Sequence, residues 1–258
     1  MTGTNEDGRD RTSVARIFHA LELLAEAPRT PSDLAASLGL NRSSALRMLR
    51  QLEATGYVAR DSATKTYATI GTRFLQLASR TSDHTDLSEI VDPILRDVRM
   101  MYGEAALLAL PAGHTMVYAA FFPSHQLLSV REGLGAVRPM HCSAVGKAYL
   151  SGLTDTALEV ELSTMRFEGG TDSAPVDRPS LYRQLVVARK KGYAVEHNET
   201  SAGVSCVAAP VWIGDSLIGS IGVTGPTLRL TDDVTATIGE HLRSAAIGLR
   251  SVAHQDVR

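Results

Sequence analysis

Between Thr30 and Gly56 the chain writes one local design twice, and that repetition restricts its fold more than any other feature. Thr30-Pro31-Ser32-Asp33 is a strong helix start: a hydroxyl N-cap, proline in the first turn and an acid three residues after the cap. The helix predicted from there is short, 31–38, and Gly39 supplies the left-handed residue that stops it. Asn41 caps a second helix over 42–55, which ends at Gly56. Two helices joined so closely have the spacing of a helix-turn-helix. Upstream, Val14, Ile17, Phe18, Leu21, Leu24 and Ala25 recur at helical intervals. They predict an amphipathic helix with these residues on its buried stripe, ended by Pro28.

On the helix over 42–55, Ala45, Leu46, Leu49 and Leu52 can face a core. Ser43, Arg47 and Arg50 sit on the opposite face, with Arg42 and Ser44 beside the Asn41 cap at the N-terminal tip. Such a tip and outer face enter a DNA major groove, where Arg pairs bidentately with guanine and Ser serves bases or phosphates. The helix start itself attracts phosphate. After Gly56, residues 57–60 and 66–68 alternate around a polar turn and predict a hairpin. Placed there, the hairpin is a wing, with Lys65 and Thr66 near its tip positioned for the DNA backbone or minor groove. Charge agrees with a polyanion partner at one end. The chain carries −2 overall, yet residues 1–80 hold 11 Lys+Arg against 8 Asp+Glu.

A chain of 258 residues, 44% hydrophobic and 21% charged, fits two domains that each bury a core. No apolar stretch approaches the roughly 18–20 residues that span a bilayer, so no membrane partner is expected. The polar, charged residues 1–11 are unlike a secretory signal. Two cysteines, Cys142 and Cys206, make no disulfide framework, and a cytoplasmic protein with reduced thiols is expected. The expected organisation is a flexible N-terminus over 1–12 and a winged helix-turn-helix over 13–69. A linker helix and hinge follow over 70–86, then a larger domain over 87–254.

In the larger domain, periodicity predicts a helix over 87–102, with Pro93 early enough to be tolerated or to kink it. Strands are predicted at 105–110, 116–122, 127–131, 193–196, 205–213 and 217–223. Helices are predicted at 144–151, 155–163 and 180–191, with a last one from Thr231 to about Ala253. The result is an α+β fold, a mainly antiparallel sheet with helices on its faces. The charge-poor stretches 104–110 and 205–223 belong at its centre.

Here a family resemblance becomes specific. Met140-His141-Cys142-Ser143-Ala144-Val145-Gly146-Lys147-Ala148 resembles the LHxTAxGKA segment of IclR-family regulators. Gly192-Tyr193-Ala194, Glu199, Gly203-Val204, Cys206 and Ala208-Ala209-Pro210-Val211 resemble that family's GYAxxxxEexxGvxCiAaPV block, and Thr224-Gly225-Pro226 its closing SGP. With the helix-turn-helix and wing, the resemblance runs over about 12–252. It implies a GAF-like C-terminal domain that binds a small organic effector and helps assemble homodimers or homotetramers. It also implies that the effector's carboxylate rests on the backbone amides of Ala144 and Val145, with further contacts from Glu196, Cys206, Gly222 and Thr224; His141, just ahead of that helix start, is a further candidate contact. Two departures matter: Glu196 stands where some relatives have the shorter Asp, and Gly222 replaces a Ser. The lost hydroxyl removes a polar contact and opens space, which favours a bulkier or less polar effector than a small keto acid, an aromatic carboxylate among them.

Duller readings stand beside these. Cys206 also suits a small core position, His141 a buried structural role, and Lys147 packing or an ion pair. A nucleophilic Cys206 or Cys142 with His141 or His197 would need a positioned base and an oxyanion site. The chain has no GxSxG, HExxH or CxxC, Gly146-Lys147 lacks a phosphate-loop frame, and Cys and His lack zinc spacing. No catalytic residue, metal or cofactor is therefore expected. The leading reading is a DNA-binding regulator, most readily a repressor of a catabolic operon, that answers to a small carboxylate. The alternatives are a cysteine-dependent hydrolase with an accessory DNA-binding domain, and a ligand-independent regulator whose C-terminal domain only oligomerises.

Overall fold

A computed structural model describes residues 12–78 and 83–252. The flexible start expected over 1–12 therefore lies almost wholly outside the described residues, as do the hinge positions 79–82 and the expected helix end at Ala253. The chain divides into two compact units, Met1–Thr85 and Asp86–Arg258.

The first unit holds α1 (Ser13–Glu26), α2 (Pro31–Ser37) and α3 (Arg42–Ala54), then β1 (Val58–Arg60), β2 (Tyr67–Thr69) and α4 (Gly71–Ala78). The starts of α2 and α3 are built from the predicted residues. Thr30 and Asp33 form a reciprocal capping box on α2, and Asn41 Oδ1 accepts the Ser44 N–H at 2.8 Å on α3. Gly39 takes φ +62° in the turn between them. Leu24, Leu34, Leu49, Leu52, Val58 and Tyr67 close the core. One sequence expectation fails on α1: Val14 and Phe18 are 60% and 62% exposed, and Ala25 is exposed too. The face that does pack carries Ile17, Ala20, Leu21 and Leu24, because the three-helix core is small and wraps only part of α1. The hairpin β1–β2 pairs Arg60 with Tyr67, one position later than periodicity placed its second strand. α4 follows directly, and its Phe74 ring meets Tyr57 edge-on at 5.3 Å.

The second unit takes in all but the first three residues of α5 (Asp83–Tyr102), then β3 (Ala105–Ala112), β4 (Thr115–Phe122) and β5 (Val137–Pro139). Three helices follow, α6 (Ala144–Gly152), α7 (Asp155–Thr164) and α8 (Arg178–Lys191). β6 (Ala194–His197), β7 (Val204–Ile213), β8 (Ser216–Pro226) and α9 (Asp232–Val252) complete it. The six strands form one antiparallel sheet in the order β5-β4-β3-β8-β7-β6. The charge-poor stretches do lie centrally, as β3, β8 and β7. α5 starts earlier than its apolar pattern, so Pro93 falls in its interior.

Both sheet faces are covered, which is why β7 and β8 read as nearly continuous apolar runs rather than alternating ones. One face packs Val207, Ala209, Ile221 and Val223 against Val91, Leu95 and Val98 of α5 and Ile238 and Leu242 of α9. The other packs Leu107, Cys206 and Ala208 against α6, with α7 and α8 beyond it. The strand expected at 127–131 is absent: that stretch is loop, with Leu127 and Leu128 exposed to solvent. The short β5 instead pairs with β4 at Thr115–Val117, so apolar residues at 127–131 have no partner strand to bury them.

Candidate functional site

The outer face of α3 forms as predicted. Arg42, Ser43, Arg47 and Arg50 are exposed, and the opposite face buries Ala45, Leu49 and Leu52. Leu46 is only half-buried and joins Arg47 and Arg50 along a shallow groove on the outer side. At the tip, Asn41 is committed to local bonds: Oδ1 also accepts the Ser43 hydroxyl at 2.8 Å. At the wing, Lys65 is exposed with φ +59°, a left-handed conformation that turns the hairpin, and the Thr64 and Thr66 hydroxyls bond at 2.7 Å. The arrangement presents cations on a capped helix face, suited to a polyanion.

The second candidate site is buried. Strand register explains how residues far apart in sequence meet: Glu196 pairs with Cys206, and Cys206 with Thr224, across β6, β7 and β8. Residues opposite one another in adjacent strands share a face, and this row lies on the α6 side. Two positions along, Ala208 pairs with Gly222, Gly222 with Leu107, and Leu107 with Phe121. The start of α6 sits over these rows. Ser143 caps it, accepting the Gly146 N–H at 3.1 Å and donating to Pro139 O at 2.7 Å. That leaves the first-turn N–H groups of Ala144 and Val145 unclaimed by the cap, on residues wholly buried. Gly146 is required for this seat, because a Cβ there would overlap the Met140 backbone.

Electrostatics separate the polar groups. Glu196 is 2% exposed, and Thr200 supplies both of its bonds, N–H at 2.9 Å and hydroxyl at 2.7 Å. Burial pushes its carboxyl up to about 7. Lys147 points away from the cap to Glu199, with Nζ–Oε distances of 2.7 and 2.8 Å, and to Gln184 at 2.7 Å. Burial raises the Glu199 carboxyl and Lys147 pulls it back. Burial also pushes the Cys142 thiol up to about 12 and the Cys206 thiol well above its ordinary range. His141 is lowered by burial, its ring bonds the Gly169 backbone and meets Phe167 edge-on at 5.5 Å, and Nε2 is buried without a partner.

Gly222 leaves less room than its missing side chain implies. A Cβ there would stand 3.3 Å from both Val145 Cγ1 and Ala208 Cβ, so its neighbours already fill that space. A cleft of about 460 Å³ opens on the α8 side of Lys147, but its lining of Arg183, Lys191, Tyr193 and their neighbours includes none of Ala144, Val145, Cys206 or Thr224.

Sequence reasoning missed a third group beside this site. Tyr118, in the same core as Cys206 and Val145, stacks on Phe121 at 6.0 Å and lies against Glu132. Glu132 is ion-paired with Arg138, whose guanidinium sits 5.7 Å from the Tyr118 ring centroid. Burial, followed by the nearby Cys206 and Glu132, raises the Tyr118 hydroxyl far above the ordinary tyrosine range. No local motif joins these residues; the only sequence signal was an acid and a base flanking a glycine-rich turn.

Residues 79–250 match the family described as bacterial transcriptional regulator IclR, C-terminal, and residues 13–62 match the IclR helix-turn-helix domain. The chain belongs to the IclR family. It is thus a DNA-binding transcriptional regulator of helix-turn-helix type. It is 28% identical over 228 residues to the HTH-type transcriptional repressor AllR of Escherichia coli strain K12, covering 85% of this chain and 83% of that one. It is 29% identical over 244 residues to the HTH-type transcriptional regulator BhcR of Paracoccus denitrificans, covering 93% and 87%. In fold it is similar to an IclR homologue from Microbacterium hydrocarbonoxydans complexed with 4-hydroxybenzoate, with a TM-score of 0.79, 22% identity, and 94% and 99% of the two chains covered. The IclR of Thermotoga maritima gives 0.74 at 21% identity, over 93% and 98%. Among the described residues no helix of this IclR-family chain is long and apolar enough to cross a membrane.

Proposed function

We propose that this regulator binds double-stranded operator DNA through α3 and the wing, and that a small carboxylate held at the start of α6 changes that binding. One observation carries the reading. Two unclaimed N–H groups, on Ala144 and Val145, lie buried over the row Glu196, Cys206, Thr224, while an exposed cationic helix face stands ready elsewhere in the chain. Helix-start amides in a dry site are suited to an anion. Asn41, Arg42, Ser43, Ser44, Arg47, Arg50, Lys65 and Thr66 form the proposed DNA contact. His141, Ala144, Val145, Glu196, Cys206, Gly222 and Thr224 form the proposed effector contact.

A homodimer, or a homotetramer built from it, sets two reading helices in half-sites about 34 Å apart or a multiple of that spacing. The effector shifts the arrangement of readers by its differential affinity for two states, transmitted through the linker and hinge over 70–86. Repression is the favoured output, since AllR is a repressor. An aromatic carboxylate is the favoured effector, since a homologue of the same fold is complexed with 4-hydroxybenzoate. Raised thiol pKa values at Cys142 and Cys206 speak against a nucleophilic enzyme, and a cytoplasmic location and no cofactor complete the reading.

The test is fluorescence anisotropy of DNA from upstream of this gene, titrated with the full chain with and without 4-hydroxybenzoate and glyoxylate. Specific binding that either acid changes at least several-fold supports the reading. Specific binding that neither acid shifts, together with no heat on titrating them into the protein, favours the ligand-independent regulator.

A further inference from the structure

The strongest unexplained observation in the second unit is an acceptor without a donor. Glu132 has a side chain only 9% exposed, one carboxylate oxygen paired with Arg138, the Tyr118 hydroxyl beside the carboxylate, and Oε2 buried outside hydrogen-bond geometry with any of them. A buried, unsatisfied carboxylate oxygen is costly, and native structures keep few of them. Glu132 is also close to the proposed effector site: its charge acts on both the Tyr118 hydroxyl and the Cys206 thiol, which share one core with Ala144 and Val145.

We propose that Glu132 Oε2 reads a hydroxyl on the effector, so that the effector is a hydroxylated carboxylic acid with its carboxylate on the Ala144 and Val145 amides and its hydroxyl on Glu132. This rests on the effector reading above and deepens it. The charge state selects the donor. Arg138 already neutralises Glu132, so a second cation gains little, whereas a neutral O–H satisfies Oε2 without adding charge. Tyr118 and Phe121, stacked with 7° between their planes and packed in the same core as Ala144 and Val145, supply an aromatic surface beside the site. That suits a ring carrying the two groups on opposite sides better than a two-carbon acid. The arrangement also replaces the specificity expected from Gly222: the acid is chosen by what it donates at Glu132 more than by space beside β8.

Titration calorimetry of the full chain with 4-hydroxybenzoate, 4-methoxybenzoate and benzoate tests this, with lactate and propionate as an aliphatic pair. The wild type should bind 4-hydroxybenzoate at least ten-fold more tightly than either ring lacking a donor, because a site built for a hydroxyl leaves its own acceptor unpaired otherwise. Glu132→Gln should narrow that ratio, and Glu132→Ala should bring it to about one. A thermal melt shows whether each variant folds, and the wild-type ratio stands without either. If hydroxylated and unsubstituted acids bind equally, solvent satisfies Oε2 and this inference falls while the carboxylate site survives. If the acids bind but Glu132→Ala keeps the preference, another group reads the hydroxyl and the assignment to Glu132 falls. If no acid binds at all, the effector reading falls with it.

Discussion

Helices α3 and α6 begin with the same device and put it to opposite use. Each has a polar N-cap that accepts the N–H three residues on, Asn41 from Ser44 and Ser143 from Gly146. Around α3 the outer face is exposed and cationic, whereas every residue in the first turn of α6 is buried. In water, exposed cations act additively, are screened by salt and tolerate rearrangement. In a dry site each polar group must be matched, and an unmatched one is felt by the whole fold. The contrast predicts that changes on α3 alter binding and leave stability alone, while changes around α6 alter stability first.

The largest effect should come from Lys147→Met, which strands Glu199 in the interior. Urea denaturation should show a loss of about 3–5 kcal/mol at pH 8, shrinking at pH 5 as Glu199 takes up a proton. A full-size loss at both pH values would mean that packing, and not charge, holds α6. Next is Glu196→Gln. Its carboxyl is raised to about 7 in the fold, so the ionised form is the disfavoured one there. The protonated form's stability is complete below about pH 4.5 and is lost as pH rises through 7. The variant removes that slope and should gain roughly 3 kcal/mol over the wild type at pH 8 and little at pH 4.5. A parallel pH profile for the two proteins would remove Glu196 from the dry site.

On the open side, Arg47→Ala should cost about 1–3 kcal/mol of operator affinity if it pairs with a base, with the melting temperature unchanged. A lowered melting temperature would break the comparison. The smallest effect belongs to Lys65→Ala, which should weaken all DNA sequences alike and reduce the salt slope by about one. A loss confined to the operator would make the wing a sequence reader.

The reader unit was almost wholly legible in the sequence, because its determinants are local. Thr30, Asp33, Gly39 and Asn41 act on residues within a turn of themselves, and the structure keeps each in its predicted role. The exceptions, Val14 and Phe18, arise because periodicity shows an apolar face but not how much core is available to cover it. In the larger unit the element order was legible, and motifs brought Glu196, Cys206 and Thr224 into one candidate site. Their sharing of a face follows from register across three strands, which no short window records. The Lys147–Glu199 pair spans 52 residues, and Tyr118 lies against Glu132 just after the stretch 127–131, which is loop where a strand was expected. A short stretch such as Leu127-Leu128-Ser129-Val130-Arg131, with no neighbour to pair with, looks like a strand until the sheet order is known.

The close seat of Gly146 on the Met140 backbone has a kinetic consequence. The amides of Ala144 and Val145 are locked in position by the fold itself, so if they hold the effector as proposed, the seat is formed before any ligand arrives and its ordering entropy is met during folding. Entry then demands motion only from whatever shields the seat, and acids of similar size should arrive at similar rates. They will differ in how long they stay. For a regulator of this design, residence time is the quantity on which the choice among acids is written.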